Sequence, residues 1–332
     1  MQLSFSSRFI FRTAYLLSLL SIVVVFSGCS NPKNAVYCDE VEHGVRSCLI
    51  SHDEYQRFYE LYIPESYTGD EAVPLVVDFH GMSSPASVQR LASGMKEKAR
   101  EEGFIVAWPS GTATRYLPSF NGAVCCDILG EDIDDVGYTR AIVEEISSIA
   151  NIDSERVYAT GVSNGAAMVH RLGCDAPDLF AAISPISFAL PEAFTCAPSQ
   201  SIPILTFHSI EDELMGYYGG SLLDAIPEWM QKMGEITLGI DHPINQFEGT
   251  LSSAEYSFNK WSELNSCVDE EPSIYFTKGN SFCQEFTQCS DEVEVQFCTL
   301  KGEHQLWGGH AAYQNDDKVP VTDMIWEFFQ KH

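Results

Sequence analysis

Val157-Tyr158-Ala159-Thr160-Gly161-Val162-Ser163-Asn164-Gly165-Ala166-Ala167-Met168 is the stretch that decides how this chain folds. The β-branched and aromatic run from Val157 to Thr160 reads as a short buried strand. The Ala/Met-rich segment after Gly165 has helix-forming composition. Between them lies Gly-x-Ser-x-Gly, the pattern of a sharp strand-to-helix turn with a serine at its tip. Glycines on either side let the backbone double back without Cβ clashes, and the strained turn exposes the serine Oγ. The helix behind it adds the positive end of its dipole beneath a developing oxyanion. Ser163 is therefore the expected nucleophile, and the rest of the chain must supply its partners.

Working outward, Arg57 to Pro64 alternates as an early edge strand. Pro74 to Gly81 is a buried strand running into a glycine turn, and Gly103 to Pro109 is another, stopped by its proline. Residues 87–102, between these two, carry helical composition. Residues 110–130 form a long loop containing Cys125-Cys126. The acidic run Asp127 to Asp135 lacks the order of acids and glycine of an EF-hand. Asp134 or Asp135 is instead expected to cap a helix reaching about Ala150. Beyond the serine, 180–185 and 202–208 read as core strands, 221–265 as an insertion with helical stretches, 293–300 as a late strand, and 322–330 as an amphipathic helix. This rhythm predicts an α/β fold, a mostly parallel, doubly wound sheet with helices on both faces. Residues 51–332 read as one domain, without repeats or low-complexity tracts.

The chain has 332 residues, 45% of them hydrophobic and 12% aromatic, enough for a sizeable core. Its 19 Lys and Arg stand against 47 Asp and Glu. Such a surface repels nucleic acid and anionic headgroups, so neither is an expected partner. Arg8 and Arg12 precede an apolar run, Leu17 to Phe26, too short for a comfortable membrane span, and residues 1–28 read as a signal peptide. Phe26-Ser27-Gly28-Cys29 resembles a bacterial lipobox, which makes Cys29 the expected lipidation site and a lipid anchor the only expected membrane contact. Residues 29–50 read as a tether and a disulfide-stapled turn. Eleven cysteines, less Cys29, leave an even number that fits five disulfides in an oxidising compartment. No Cys-x2-Cys pair recurs, which disfavours a zinc site. Cys38–Cys48 and Cys267–Cys289 are the expected pairs, and Cys125 and Cys126 are expected to anchor their loop at two places.

A serine nucleophile needs a histidine base and an acid to orient it, placed in the order Ser, acid, His on loops after later strands. Strand 202–208 is followed by Ser209-Ile210-Glu211-Asp212-Glu213, and strand 293–300 by Lys301-Gly302-Glu303-His304. His304 follows its strand directly and is preferred over His310. Any of Glu211, Asp212 and Glu213 could be the acid on position alone. His208 reads as a packed or loop-bonding histidine. The backbone N–H groups of Asn164 and of the Gly81-Met82 turn are the expected oxyanion donors. His80, just before that turn, is expected to shape it, and His80 and Trp307 are expected beside the substrate.

Pro74 to Gly81, Cys125-Cys126 with Asp134-Asp135-Val136-Gly137, Arg156 to Gly165, His208 to Asp212, and Trp261 with Asn265 and Cys267 together resemble one esterase family. It holds short polyhydroxybutyrate depolymerases, feruloyl esterases and acetylxylan esterases, and the likeness runs from about residue 45 to the C-terminus. The family's His-Gly-x-x-Asp spacing selects Asp212 as the acid, although Ser209 replaces the glycine. The resemblance implies an α/β-hydrolase that cleaves carboxylic esters through Ser163, His304 and Asp212, with no metal or organic cofactor. Gly302-Glu303-His304-Gln305-Leu306-Trp307-Gly308 is one residue longer than the family pattern between histidine and tryptophan. That change falls where an acyl pocket would be shaped. A serine peptidase or a non-catalytic binding protein on the same fold is the alternative.

Overall fold

A computed structural model of the chain describes residues 37–114, 117–123, 132–221, 250–302 and 317–332. They all fall within one compact unit, Val36–His332. Tyr37–Glu42 (β1), Val45–His52 (β2) and Tyr55–Tyr62 (β3) form an antiparallel ribbon. Val73–Phe79 (β4) leads through helices Ala86–Ala92 (α1) and Met95–Glu102 (α2) to Ile105–Pro109 (β5). A small hairpin, Thr112–Thr114 (β6) and Leu117–Ser119 (β7), is followed by helix Asp135–Ile149 (α3). Strand Ile152–Val162 (β8) runs into helix Asn164–Asp175 (α4), and then come Ala182–Ile186 (β9) and Ile204–Ser209 (β10). Short strands Gly220–Ser221 (β11) and Thr250–Leu251 (β12) pair before helix Ala254–Leu264 (α5). Hairpin Ser273–Lys278 (β13) and Ser281–Phe286 (β14), strand Val295–Leu300 (β15) and helix Val321–Phe329 (α6) complete the described chain.

Among the described residues the main sheet has eleven strands in the order β1-β2-β3-β5-β4-β8-β9-β10-β15-β14-β13. Neighbours from β5 to β15 pair in parallel, while both flanks are antiparallel. The parallel centre is buried on both faces, which is why its strands read as continuous apolar runs. Alternate side chains divide between two cores: Leu75, Val77 and Phe79 face Ile142, Met168 and Trp261 of α3, α4 and α5, and Val76 faces Met95 and Ile325 of α2 and α6. Helices therefore cover both faces, as the sequence predicts. On the second face Trp326 stacks on Phe104 at 3.9 Å and Phe329 on Tyr158 at 4.6 Å. Burying each such ring contributes roughly 1.5–3 kcal/mol, so the C-terminal helix is part of the core.

Several expectations are corrected. The helix expected over 87–102 is two helices, divided at Gly94, whose φ of 71° favours glycine. The segment expected as tether and turn supplies β1 and β2, and hairpin β13–β14, absent from the sequence reading, extends the far edge. Among the described residues the disulfides are Cys38–Cys48, Cys174–Cys196, Cys267–Cys289 and Cys283–Cys298. Both expected pairs form. Cys125 and Cys126, expected to anchor their loop at two places, lie outside the described residues.

The Trp261, Asn265, Cys267 pattern is a structural clamp. Trp261 Nε1 donates to His170 Nδ1 at 3.0 Å, and the Asn265 side chain binds both backbone groups of Ile202, accepting at 2.9 Å and donating at 3.0 Å. His170 Nε2 donates to Phe188 O at 3.0 Å, and burial pushes this imidazole down to about 4.

Candidate active site

Strand β8 ends at Val162 and helix α4 begins at Asn164, which leaves Ser163 alone at the tip with φ 55° and ψ −119°. A non-glycine residue in so sparsely populated a region costs about 1–3 kcal/mol and persists only when its surroundings fix it. Here they do. The Ser163 N–H donates to Ile186 O at 2.9 Å, and its carbonyl accepts from Ala167 N at 3.0 Å. The flanking glycines are needed for space. A Cβ on Gly165 would lie 2.2 Å from Phe79 O, and one on Gly161 would lie 2.8 Å from Phe79 Cβ. The sharp turn is thus wedged against the end of β4, and the half-buried Ser163 stands where that strand also ends.

The chain leaving β4 passes beside the serine: a Cβ on Gly81 would lie 3.5 Å from Ser163 Cβ. The turn is held from behind. Ser83, with φ 65°, donates its N–H to Pro118 O at 2.9 Å, and Ser84 N donates to Gly81 O at 3.2 Å. His80 is fully buried; its Nε2 accepts from Gly111 N at 2.9 Å, so Nδ1 carries the proton and donates to Gly81 O at 2.8 Å. Burial lowers its pKa to about 4, so it stays neutral at ordinary pH. His80 therefore shapes the turn, with both ring nitrogens serving the backbone. Asn164 is also buried, with its side chain clamping Phe120 by accepting from N at 2.8 Å and donating to O at 2.9 Å. As the first residue of α4 its own N–H has no intrahelical acceptor. The Met82 N–H makes no hydrogen bond among the described residues.

The acid side lies two strands away in the same sheet. Of the three consecutive acids after β10, Glu211 and Glu213 are exposed and Asp212 is buried. Asp212 Oδ1 accepts from Leu214 N at 3.0 Å and Met215 N at 2.8 Å, and Oδ2 lies 3.7 Å from His208 Nε2. His208 Nε2 donates to Met215 O at 2.5 Å, so this buried histidine braces the loop. The end of β15 is tied to the same place: Ile210 N donates to Leu300 O at 2.9 Å, and Ser209 Oγ donates to Gly302 O. His304, His310, Trp307 and Cys29 lie outside the described residues. Among the described residues the one grouping of metal-type donors is His52, Asp53 and Asp134. Asp134 there is the cap of α3, accepting from Gly137 N at 2.8 Å.

No protein-family model matches the chain. It is 31% identical over 272 residues to feruloyl esterase B of Piromyces equi, covering 81% of this chain and 44% of the relative. With poly(3-hydroxyalkanoate) depolymerase C of Paucimonas lemoignei it shares 32% identity over 134 residues, 37% of this chain and 31% of that one. The chain thus spans less than half the length of these curated relatives. Among solved structures, an acetyl xylan esterase from Aspergillus awamori superposes with a TM-score of 0.52 at 16% identity, over 83% of this chain and 94% of that chain. The chain has the fold of an α/β-hydrolase. Its relatives are esterases.

In this fold the parallel strands β4, β8, β10 and β15 deliver the Gly81 turn, Ser163, Asp212 and Gly302 at their C-terminal ends, the side on which open α/β sheets place their sites. Sequence reasoning missed the Asn164 side-chain clamp on Phe120 and the anchoring of His80 by Gly111. Both bind backbone groups far away in the chain, and no local pattern signals that.

Proposed function

We propose that this α/β-hydrolase is an exported carboxylic ester hydrolase working through Ser163, His304 and Asp212. Ser163 Oγ attacks the ester carbonyl as His304 takes its proton, and Asp212 holds the imidazole in orientation. The N–H groups of Asn164 and Met82 receive the oxyanion, each contributing about 3–4 kcal/mol to the transition state. Collapse breaks the C–O bond, His304 returns the proton to the departing alcohol, and the acyl group stays on Ser163. Water then attacks that acyl-enzyme with His304 as base, releasing the acid and restoring the serine.

The observation that carries this reading is the strained tip at Ser163 with the Gly81 turn packed beside it. Asp212 supports it because its carboxylate alone of the three is buried and held by N–H donors. His304 stands two residues beyond Gly302, at most about 7 Å of extended chain. Four disulfides among the described residues fit an oxidising compartment. They accord with export by residues 1–28 and a lipid anchor at Cys29 in the cell envelope. The substrates proposed are polyhydroxybutyrate-type oligomers or feruloyl and acetyl esters of polysaccharide, the classes named by the relatives and the resemblance.

One competition assay tests this. Hydroxybutyrate oligomers are mixed with feruloylated and acetylated xylo-oligosaccharides, released acids are followed by chromatography, and Ser163→Ala is the blank. Hydroxybutyrate alone identifies a depolymerase; ferulate or acetate identifies a polysaccharide esterase. Release equal to the blank contradicts the proposal.

A further inference from the structure

Two turns flank Ser163, and a single buried ion pair reaches both. Arg57 on β3 and Asp135 in the first turn of α3 meet at 2.6 Å between Nη2 and Oδ1, their side chains 2% and 1% exposed. The guanidinium lies 3.6 Å above the centre of the Tyr138 ring, and Nη2 also donates to Ser110 O at 3.1 Å. From Asp135 the connection runs to the nucleophile side. Its Oδ2 accepts from Asn121 N at 2.7 Å, and the preceding residue, Phe120, has both backbone groups bound by the Asn164 side chain. Asn164 follows Ser163 directly. From Arg57 the connection runs to the other turn. Ser110 precedes Gly111, whose N–H donates to His80 Nε2, and His80 donates to Gly81 O beside the serine.

Stability alone is a poor reason for such a pair, because apolar residues of similar volume commonly do as well or better in a protein interior. This one is also incompletely satisfied: Arg57 Nε and Nη1 are buried without a hydrogen-bond partner among the described residues. What the pair does supply is a fixed separation between the segment leaving β5 that holds Ser110 and the loop that holds Asn121. Resting on the esterase reading above, we infer that Arg57 and Asp135 are positioning residues for the oxyanion hole, setting where the N–H groups of Met82 and Asn164 stand relative to Ser163 Oγ. This gives a role to Asp135 in the Asp134-Asp135-Val136-Gly137 motif, which capping by Asp134 leaves unexplained.

The test compares the wild type with Asp135→Asn, Arg57→Lys and the apolar double variant Arg57→Met/Asp135→Leu, the last chosen to stay folded without buried charge. Active sites are first counted by covalent labelling with an aryl phosphonate. Each folded variant should then lose about 10- to 100-fold in kcat per labelled site with KM within about twofold, since misplaced donors weaken the transition state alone. Inhibition by an aryl boronic acid, which places a tetrahedral adduct on Ser163, should weaken by the same factor, and inhibition by the product acid should not change. Wild-type kcat and boronate affinity in the double variant, whatever its melting temperature, would overturn the inference. A wild type that neither labels nor turns over any ester would instead remove the esterase reading on which it rests.

Discussion

The serine side and the acid side of this site are held by different physics. Ser163 is fixed by shape: two glycines pressed against β4, a turn passing beside it, and a strained backbone that its neighbours enforce. Asp212 is fixed by hydrogen bonds within a short loop, between two exposed acids, of which Glu211 pairs with Lys301 just after β15. Changes to the packing around the serine should therefore cost folding as well as chemistry, whereas changes on the acid side should cost chemistry almost alone.

Asp212→Asn breaks the comparison most sharply. Its Oδ1 can still accept from Leu214 and Met215, so the melting temperature should move little, while kcat should drop on the order of 10⁴-fold as the carboxylate that orients the base is lost. A loss below tenfold would move the acid elsewhere. On the other side, Gly165→Ala should destabilise by about 3 kcal/mol, because the new Cβ meets the Phe79 carbonyl and the backbone must shift. Urea unfolding reads this directly, and activity per folded molecule should fall with it.

Acid sensitivity should also belong to the serine side. His80 behind the turn and His170 on α4 are both held near 4 by burial, against about 6.5 when unfolded. The unfolded chain takes up these protons first, so stability is full above about pH 6.5 and declines as pH falls toward 4, by about 3 kcal/mol per histidine. His170→Gln should flatten that decline by roughly its share, as read from urea midpoints at pH 7 and 4.5; an unchanged slope would contradict the cause. The smallest effect expected is from Ser163→Gly, which removes the strain of the tip but frees the unfolded chain, for a net gain of about 1 kcal/mol or less.

Much of this was legible because it is locally encoded. Gly-x-Ser-x-Gly after a β-branched run specifies the sharp turn, and the apolar runs of β4, β5 and β10 betray strands buried on both faces. Where the sequence reading failed, burial or distance explains it. Hairpin β13–β14 carries Ile274 and Tyr275 on an exposed strand, so it lacks the alternation of a half-buried one. Gly94 breaks a stretch whose composition is helical on both sides. Glu211, Asp212 and Glu213 are equivalent by position alone; the family spacing selects Asp212, and Asp212 is the one of the three that is buried. Arg57 and Asp135 are so far apart in the chain that nothing in either neighbourhood announces the other.

The most direct test of the account is to trap the acyl-enzyme or its mimic. The protein is treated with an aryl phosphonate, digested and read by mass spectrometry, beside Ser163→Ala. The account predicts one adduct per molecule on the peptide carrying Ser163, loss of ester hydrolysis in step with labelling, and no adduct in the variant. Full hydrolysis by a protein whose Ser163 stays unlabelled, or an adduct on another residue, would contradict it.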